Sequence, residues 1–109
     1  MKGSIKKTKD FHCVYNKGKS FANSYLVMYV LKNGTNDNRL GISVSKKVGN
    51  SVVRHRLTRL IRESYRLNEK KFITGIDIVI IARIGAKDID YVTMEKAINH
   101  LGNLHKILV

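Results

Sequence analysis

Residues 39–66, RLGISVSKKVGNSVVRHRLTRLIRESYR, join a strand, a glycine turn and a long amphipathic helix without a break, and few folds admit that succession. Over residues 39–45, Leu40, Ile42 and Val44 alternate with Arg39, Gly41, Ser43 and Ser45. That period of two marks a half-buried strand whose second face is small and polar. Asn50 or Ser51 then caps a helix that runs to about Leu67. At about 100° per residue, Val53, Leu57, Leu60 and Ile61 form one stripe of that helix, while His55, Arg59, Arg62 and Arg66 form the opposite one. Arg56 borders the basic stripe, and Arg54 stands apart near the helix start.

The remaining segments supply partners for this unit. IDIVIIAR, residues 76–83, is almost continuously apolar and reads as a central strand covered on both faces. With Thr8 as N-cap and Gly18 as its stop, residues 9–17 read as a short helix carrying Phe11, Val14 and Tyr15 on one face. YLVMYVLK, residues 25–32, is rich in β-branched and aromatic residues, and the polar NGTNDN after it predicts a hairpin to the strand at 39–45. Residues 92–106 close the chain as an amphipathic helix through Met94, Ala97, Ile98, Leu101 and Leu104. The order is α-β-β-α-β-α, with an extra short strand near residues 19–21. General chirality predicts a right-handed connection from strand 39–45 to strand 76–83. At 109 residues, without proline, repeats or a linker, the chain reads as one domain, residues 1–109, around a single core.

Charge narrows the partner. Between Lys46 and Arg66 lie Lys46, Lys47, Arg54, Arg56, Arg59, Arg62 and Arg66 against one acid, Glu63, so this segment holds +6 of the total +13. Hydrophobic residues are 43% and charged residues 27%, values of a folded chain, so the basic excess lies on a folded surface. Such density points to a polyanion, nucleic acid ahead of an anionic membrane surface. A solvated face is the bland alternative, but neutralising it would take acids four residues away, and only Glu63 is at hand. No apolar run reaches the roughly 20 residues of a spanning helix. The basic start, MKGSIKKTKD, leads into no apolar stretch and does not read as a signal peptide. The lone Cys13 cannot form an internal disulfide, and the expectation is a cytoplasmic protein.

No self-sufficient active site is visible. His12, His55, His100 and His105 with Cys13 match no zinc spacing. Cys13 lacks the distant partners of a nucleophile, and the eight acids form no recognisable pair or metal cluster. VGNSV lacks the phosphate-loop and dinucleotide patterns, so Gly49 reads as a turn. Phe11, Tyr15 and Tyr29 read either as core aromatics or as a stacking platform for unpaired bases beside a small polar strand face.

KKVGNSVVRHRLTRLIR resembles the signature of the bacterial ribonuclease P protein family, Lys-x-Gly-Asn-x-Val-x-Arg-Asn-Arg with basic positions downstream. IKKTKDF-x-x-V-Y-x-x-G resembles the family's opening, RLGISVSKK its third strand and DIVIIAR its last, in order over roughly residues 5 to 105. His55 and Thr58 depart from the family's usual Asn and Lys. The resemblance implies an α+β fold, a small two-layer α/β sandwich with a mixed central sheet and a left-handed β-α-β crossover like that of a ribosomal protein domain. It also implies two RNA surfaces. Lys46, Asn50, Arg54, Arg56, Arg59 and Arg62 match positions facing the catalytic RNA. Phe11, Tyr15, Tyr29, Ser43 and Lys47 match a cleft for the single-stranded 5′ leader of precursor tRNA. The implied activity is endonucleolytic hydrolysis that generates the mature tRNA 5′ end, with chemistry from the RNA and the protein inactive alone. No cofactor or metal is expected on the protein itself. Magnesium is expected in the holoenzyme, held mainly by RNA, and neither a membrane nor an obligate protein partner is implied. The rival readings are a ribosomal or other structural RNA-binding protein, a protein-only nuclease and, more weakly, a DNA-binding module.

Overall fold

The apolar run takes the middle of the sheet as β4 (Ile76–Ala82). It pairs antiparallel with β2 (Leu26–Lys32) on one side and parallel with β3 (Arg39–Ser43) on the other. β1 (Lys19–Ala22) joins the free edge of β2, giving the order β1-β2-β4-β3 in this computed structural model, which describes residues 3–109. Because β4 carries apolar residues on both faces, the sheet needs cover on both. The helices α2 (Ser51–Asn68) and α3 (Tyr91–His105) pack on one face, and α1 (Thr8–Lys17) on the other. The α2 and α3 side buries Met28, Ile78 and Ile80 with Leu57, Ile61, Met94, Ile98 and Leu101. Each such side chain contributes about 1.5–3 kcal/mol by leaving water. The α1 side is smaller, centred on Ile5, Val14 and Val79.

Several local expectations give way to tertiary structure. The polar loop after β2 does not close a hairpin to β3, because β4 lies between them. The hairpin instead joins β1 and β2, whose turn Asn23 organises by accepting from the N–H groups of Tyr25 and Leu26 at 3.0 and 2.9 Å. Thr8 is not the N-cap of α1: Lys7 holds that position and makes no side-chain cap. Gly18 ends α1 in an extended conformation, φ −80°, rather than a left-handed one. It is there for space, since a Cβ would sit 2.5 Å from Val14 O and 3.0 Å from Val30 O. Of the α3 stripe, Leu104 points outward, 40% exposed, and the helix ends with Lys106 in the left-handed region. The expected cap of α2 is present: Asn50 Oδ1 accepts from Val53 N–H at 3.0 Å.

The β3–α2–β4 connection is left-handed, against the general rule. Leu40 points its side chain to the α2 side of the sheet, and its N–H and C=O bond to Gly3 and Ile5. Viewed from α2 with β3 running upward, an L-residue facing the viewer directs those two groups to the right. The Gly3–Ile5 segment is therefore on the right and β4 on the left. The chain crosses in front of the sheet and moves left.

A polar lock fixes the two long helices. Asn68 Nδ2 donates to Ser64 O at 2.7 Å and to Glu95 Oε2 at 2.8 Å, and Tyr91 Oη donates to the same oxygen at 3.1 Å. A second lock joins β3, β4 and α1. Buried Asp77 accepts two hydrogen bonds from Arg39, at 2.9 and 2.7 Å, and one from Asn33 at 2.9 Å, while Arg39 also reaches Asp10 at 3.6 Å. Burial pushes the Asp77 carboxyl up, but the Arg39 and Asn33 hydrogen bonds outweigh it and hold the group below the usual aspartate value. Such a group contributes its stability in full above its unfolded value, near about 3.9, and loses it as pH falls through the lower folded value. The urea midpoint should accordingly drop below about pH 4, and Asp77→Asn should flatten that acid limb. Equal steepness in both proteins would remove Asp77 from the account.

Candidate nucleic-acid interface

On the α1 face of the sheet the strand registers line up three rows of side chains. Val27, Ile81 and Ser43 form one row, Tyr29, Val79 and Gly41 the next, and Leu31, Asp77 and Arg39 the third. Helix α1 crosses these rows over β4 and β2, its first turns reaching β3. Asp10 meets Arg39, and Phe11 packs on Gly41, where a Cβ would fall 2.8 Å from its ring. Tyr15 lies beside Ser43. With ten residues α1 cannot roof the whole sheet, and Val27, Tyr29 and Ile81 stay half-buried where it ends. The rings stand as a series: Phe11 and Tyr15 have centroids 6.2 Å apart at a tilt of 42°, and Tyr15 meets Tyr29 edge-on at 5.0 Å and 67°. Burial pushes the Tyr15 hydroxyl up, against a smaller lowering by neighbouring Ser43, so it stays protonated at ordinary pH. The result is an aromatic wall beside a small, partly polar floor.

The fold brings Phe11, Tyr15, Tyr29 and Ser43 to one face of the sheet, where the half-buried rings pack on Val14 and Val79. Lys47 stands exposed in the turn after β3. Sequence reasoning missed Val27 and Ile81 as floor and Gly41 as the seat of Phe11. The alternation of β4 carried the signal for Ile81, because Val79 and Ile81 share a face, but a continuous apolar run hides which face stays open.

On the opposite side, α2 presents its basic stripe. Lys46, Asn50, His55, Arg56, Arg59 and Arg62 are exposed, and Arg54 is half-buried. Their availability differs. Asn50 Oδ1 is taken by the helix cap, and Arg54 Nη1 turns back to Gly49 O at 3.1 Å. Arg56 donates to Ile89 O at 2.6 Å and to Lys87 O at 3.5 Å. Arg66 pairs with Glu63 at 2.7 Å. Among the described residues Arg59 and Arg62 make no hydrogen bond or ion pair, which leaves both guanidinium groups free for phosphate. Thr58, at a family lysine position, bonds Arg54 O at 2.9 Å within the helix. Among the described residues no three His, Cys, Asp or Glu side chains come together to hold a metal ion, and no helix is long and apolar enough to cross a membrane.

Comparison with known proteins shows the family. The family model described as Ribonuclease P matches residues 2–106. The ribonuclease P protein component of Lachnoclostridium phytofermentans is 61% identical over 108 residues, covering 99% of this chain and 93% of the relative. That of Alkaliphilus metalliredigens is 51% identical over 104 residues, covering 95% and 94%. Among solved structures, the Staphylococcus aureus RNase P protein superposes with a TM-score of 0.91 at 37% identity, covering all of both chains. The Thermotoga maritima RNase P protein gives 0.84 at 33% identity, covering 92% and 96%. A cleft and a basic helix built on one strand–helix segment, with this fold and these relatives, place the chain in the ribonuclease P protein family, as a protein component of the endoribonuclease that processes tRNA 5′ ends.

Proposed function

We propose that the two faces divide the work of the holoenzyme. The α2 face, with Lys46, Asn50, Arg54, Arg56, Arg59 and Arg62, docks on the catalytic RNA, and the cleft of Phe11, Tyr15, Tyr29, Ser43 and Lys47 takes the 5′ leader of precursor tRNA. The observation that carries this reading is the contrast between the surfaces. One offers free guanidinium groups in a helical row, which suits the phosphates of folded RNA. The other offers tilted rings beside a half-open floor, which suits unstacked bases of a single strand. Within the α2 set, Arg59 and Arg62 carry the phosphate contacts, while Arg54 and Arg56 shape the turn and the loop they bond to. The protein contributes affinity and lowers the magnesium requirement by offsetting phosphate repulsion. The metal that activates water is held mainly by RNA. The site of action is the cytoplasm, with no membrane and no obligate protein partner.

The direct test is cleavage of 5′-labelled precursor tRNA at low magnesium by protein alone, catalytic RNA alone and both together. Activity only in the combination is expected; cleavage by the protein alone would reveal a protein nuclease, and failure to rescue the RNA would favour a structural RNA-binding role. Arg59→Ala with Arg62→Ala should weaken catalytic-RNA binding and flatten its logarithmic salt dependence by about 0.9 per lost phosphate contact. An unchanged slope would refute the phosphate assignment. Phe11→Ala with Tyr15→Ala should reduce affinity for leader-bearing tRNA more than for mature tRNA, measured by titrating the reconstituted holoenzyme with each. Equal losses would make these rings purely structural.

A further inference from the structure

Arg56 is held differently from Arg59 and Arg62. Carbonyls of Lys87 and Ile89, in the loop before α3, pin its guanidinium at 3.5 and 2.6 Å. With Val52, His55, Arg59, Leu60 and Glu63 it lines a surface groove of about 500 Å³. These six side chains form two neighbouring ridges of one helix, 52-56-60 and 55-59-63, so the spacing of α2 fixes the width of the groove. Its floor is apolar. Val52 is 74% exposed and Leu60 half-buried.

A phosphate does not suit this groove. Its oxygens need donors and water rather than valine and leucine, and Glu63, held ionised by Arg66, would repel it at one end. An unpaired nucleobase suits it better. Its flat face can lie on Val52 and against the pinned guanidinium, a plane that costs no side-chain ordering because Arg56 is already fixed. Its amino or imino edge meets an acceptor in Glu63, and the phosphate attached to it finds Arg59 on the neighbouring ridge. We propose that this groove receives one unpaired base of the RNA subunit, stacked on Arg56 over Val52, as a stacking anchor within an otherwise electrostatic interface. The inference rests on α2 facing the catalytic RNA.

The test is Val52→Asn in the full chain, titrated with the RNA subunit at several salt concentrations. Val52 makes little contact with the core, so the thermal midpoint should stay in place. Affinity should fall about fivefold, as for partial loss of one stacked base, with the salt slope unchanged, because no phosphate contact is removed. A second measurement follows the Val52 and Leu60 methyl signals in the free protein. Adenosine monophosphate should shift them upfield by ring current, and ribose 5-phosphate should not. Full RNA affinity in Val52→Asn, as expected if a protein partner occupies the groove instead, overturns the proposal, and so do equal methyl shifts with both compounds. The underlying reading fails separately: undiminished RNA affinity in Arg59→Ala with Arg62→Ala would move α2 off the RNA altogether.

Discussion

Two-sided burial of β4 is the constraint on which the other elements depend. Ile76, Ile78 and Ile80 face the long helices while Val79 faces α1, and all four are buried. No arrangement with one bare face could accommodate this strand. The two covers are unequal, however. Two helices of 18 and 15 residues close one face, whereas a helix of ten residues closes part of the other. The open remainder of that second face is the cleft. Its floor is thus a consequence of core construction, with Val27, Tyr29 and Ile81 belonging to strands that must be apolar for the sheet to form.

The same economy places the second surface. β3 contributes Gly41 and Ser43 to the cleft, and after seven intervening residues α2 begins, carrying Arg59 and Arg62 on the far side of the molecule. One chain segment therefore sets the distance between the two surfaces, and rigidity at its two ends matters. Asn50 fixes the start of α2 through its cap, and Asn68 with Glu95 fixes its end. Arg39, at the head of β3, holds both β4 and α1 through Asp77 and Asp10. Loosening either end would alter the register of cleft and helix together, so these hydrogen bonds bear on the geometry of both surfaces.

What the sequence disclosed follows from how local each signal is. Alternation in residues 39–45 and the two stripes of residues 51–67 depend on the chain's own geometry, and both survive in the fold. The polar stretch NGTNDN also carried a true local signal, a reversal, but nothing local says that β4, some 40 residues later, will enter between the two strands it separates. The handedness of the crossover was equally hidden from periodicity, and only the family resemblance indicated it. Charge counting had a related blind spot. It weighed Arg54, Arg56, Arg59 and Arg62 alike, whereas carbonyl oxygens of Gly49, Lys87 and Ile89 occupy two of them. Carbonyl partners are contributed by backbone of any sequence, so residue identity gives no warning of them.

Charge is distributed along the chain in a way that orients the whole molecule. Residues 46–66 hold +6 of the net +13, while residues 67–109 set six Lys or Arg against five of the eight acids and come to only +1. The latter segment provides β4 and α3, and its acids mostly work internally: Asp77 binds Arg39, Asp90 caps α3, and Glu95 locks the helices. Residues 1–45 carry the remaining +6, so the positive charge lies on the α1–β3 part of the chain and on the α2 segment in equal measure, with near neutrality only in β4 and α3. Field gradients of this kind bias encounter geometry before any contact forms, within a screening length of about 8–10 Å at physiological salt. With Glu63 the only acid between residues 46 and 66, the positive charge of that segment is densest on the helix where Arg59 and Arg62 keep their guanidinium groups free.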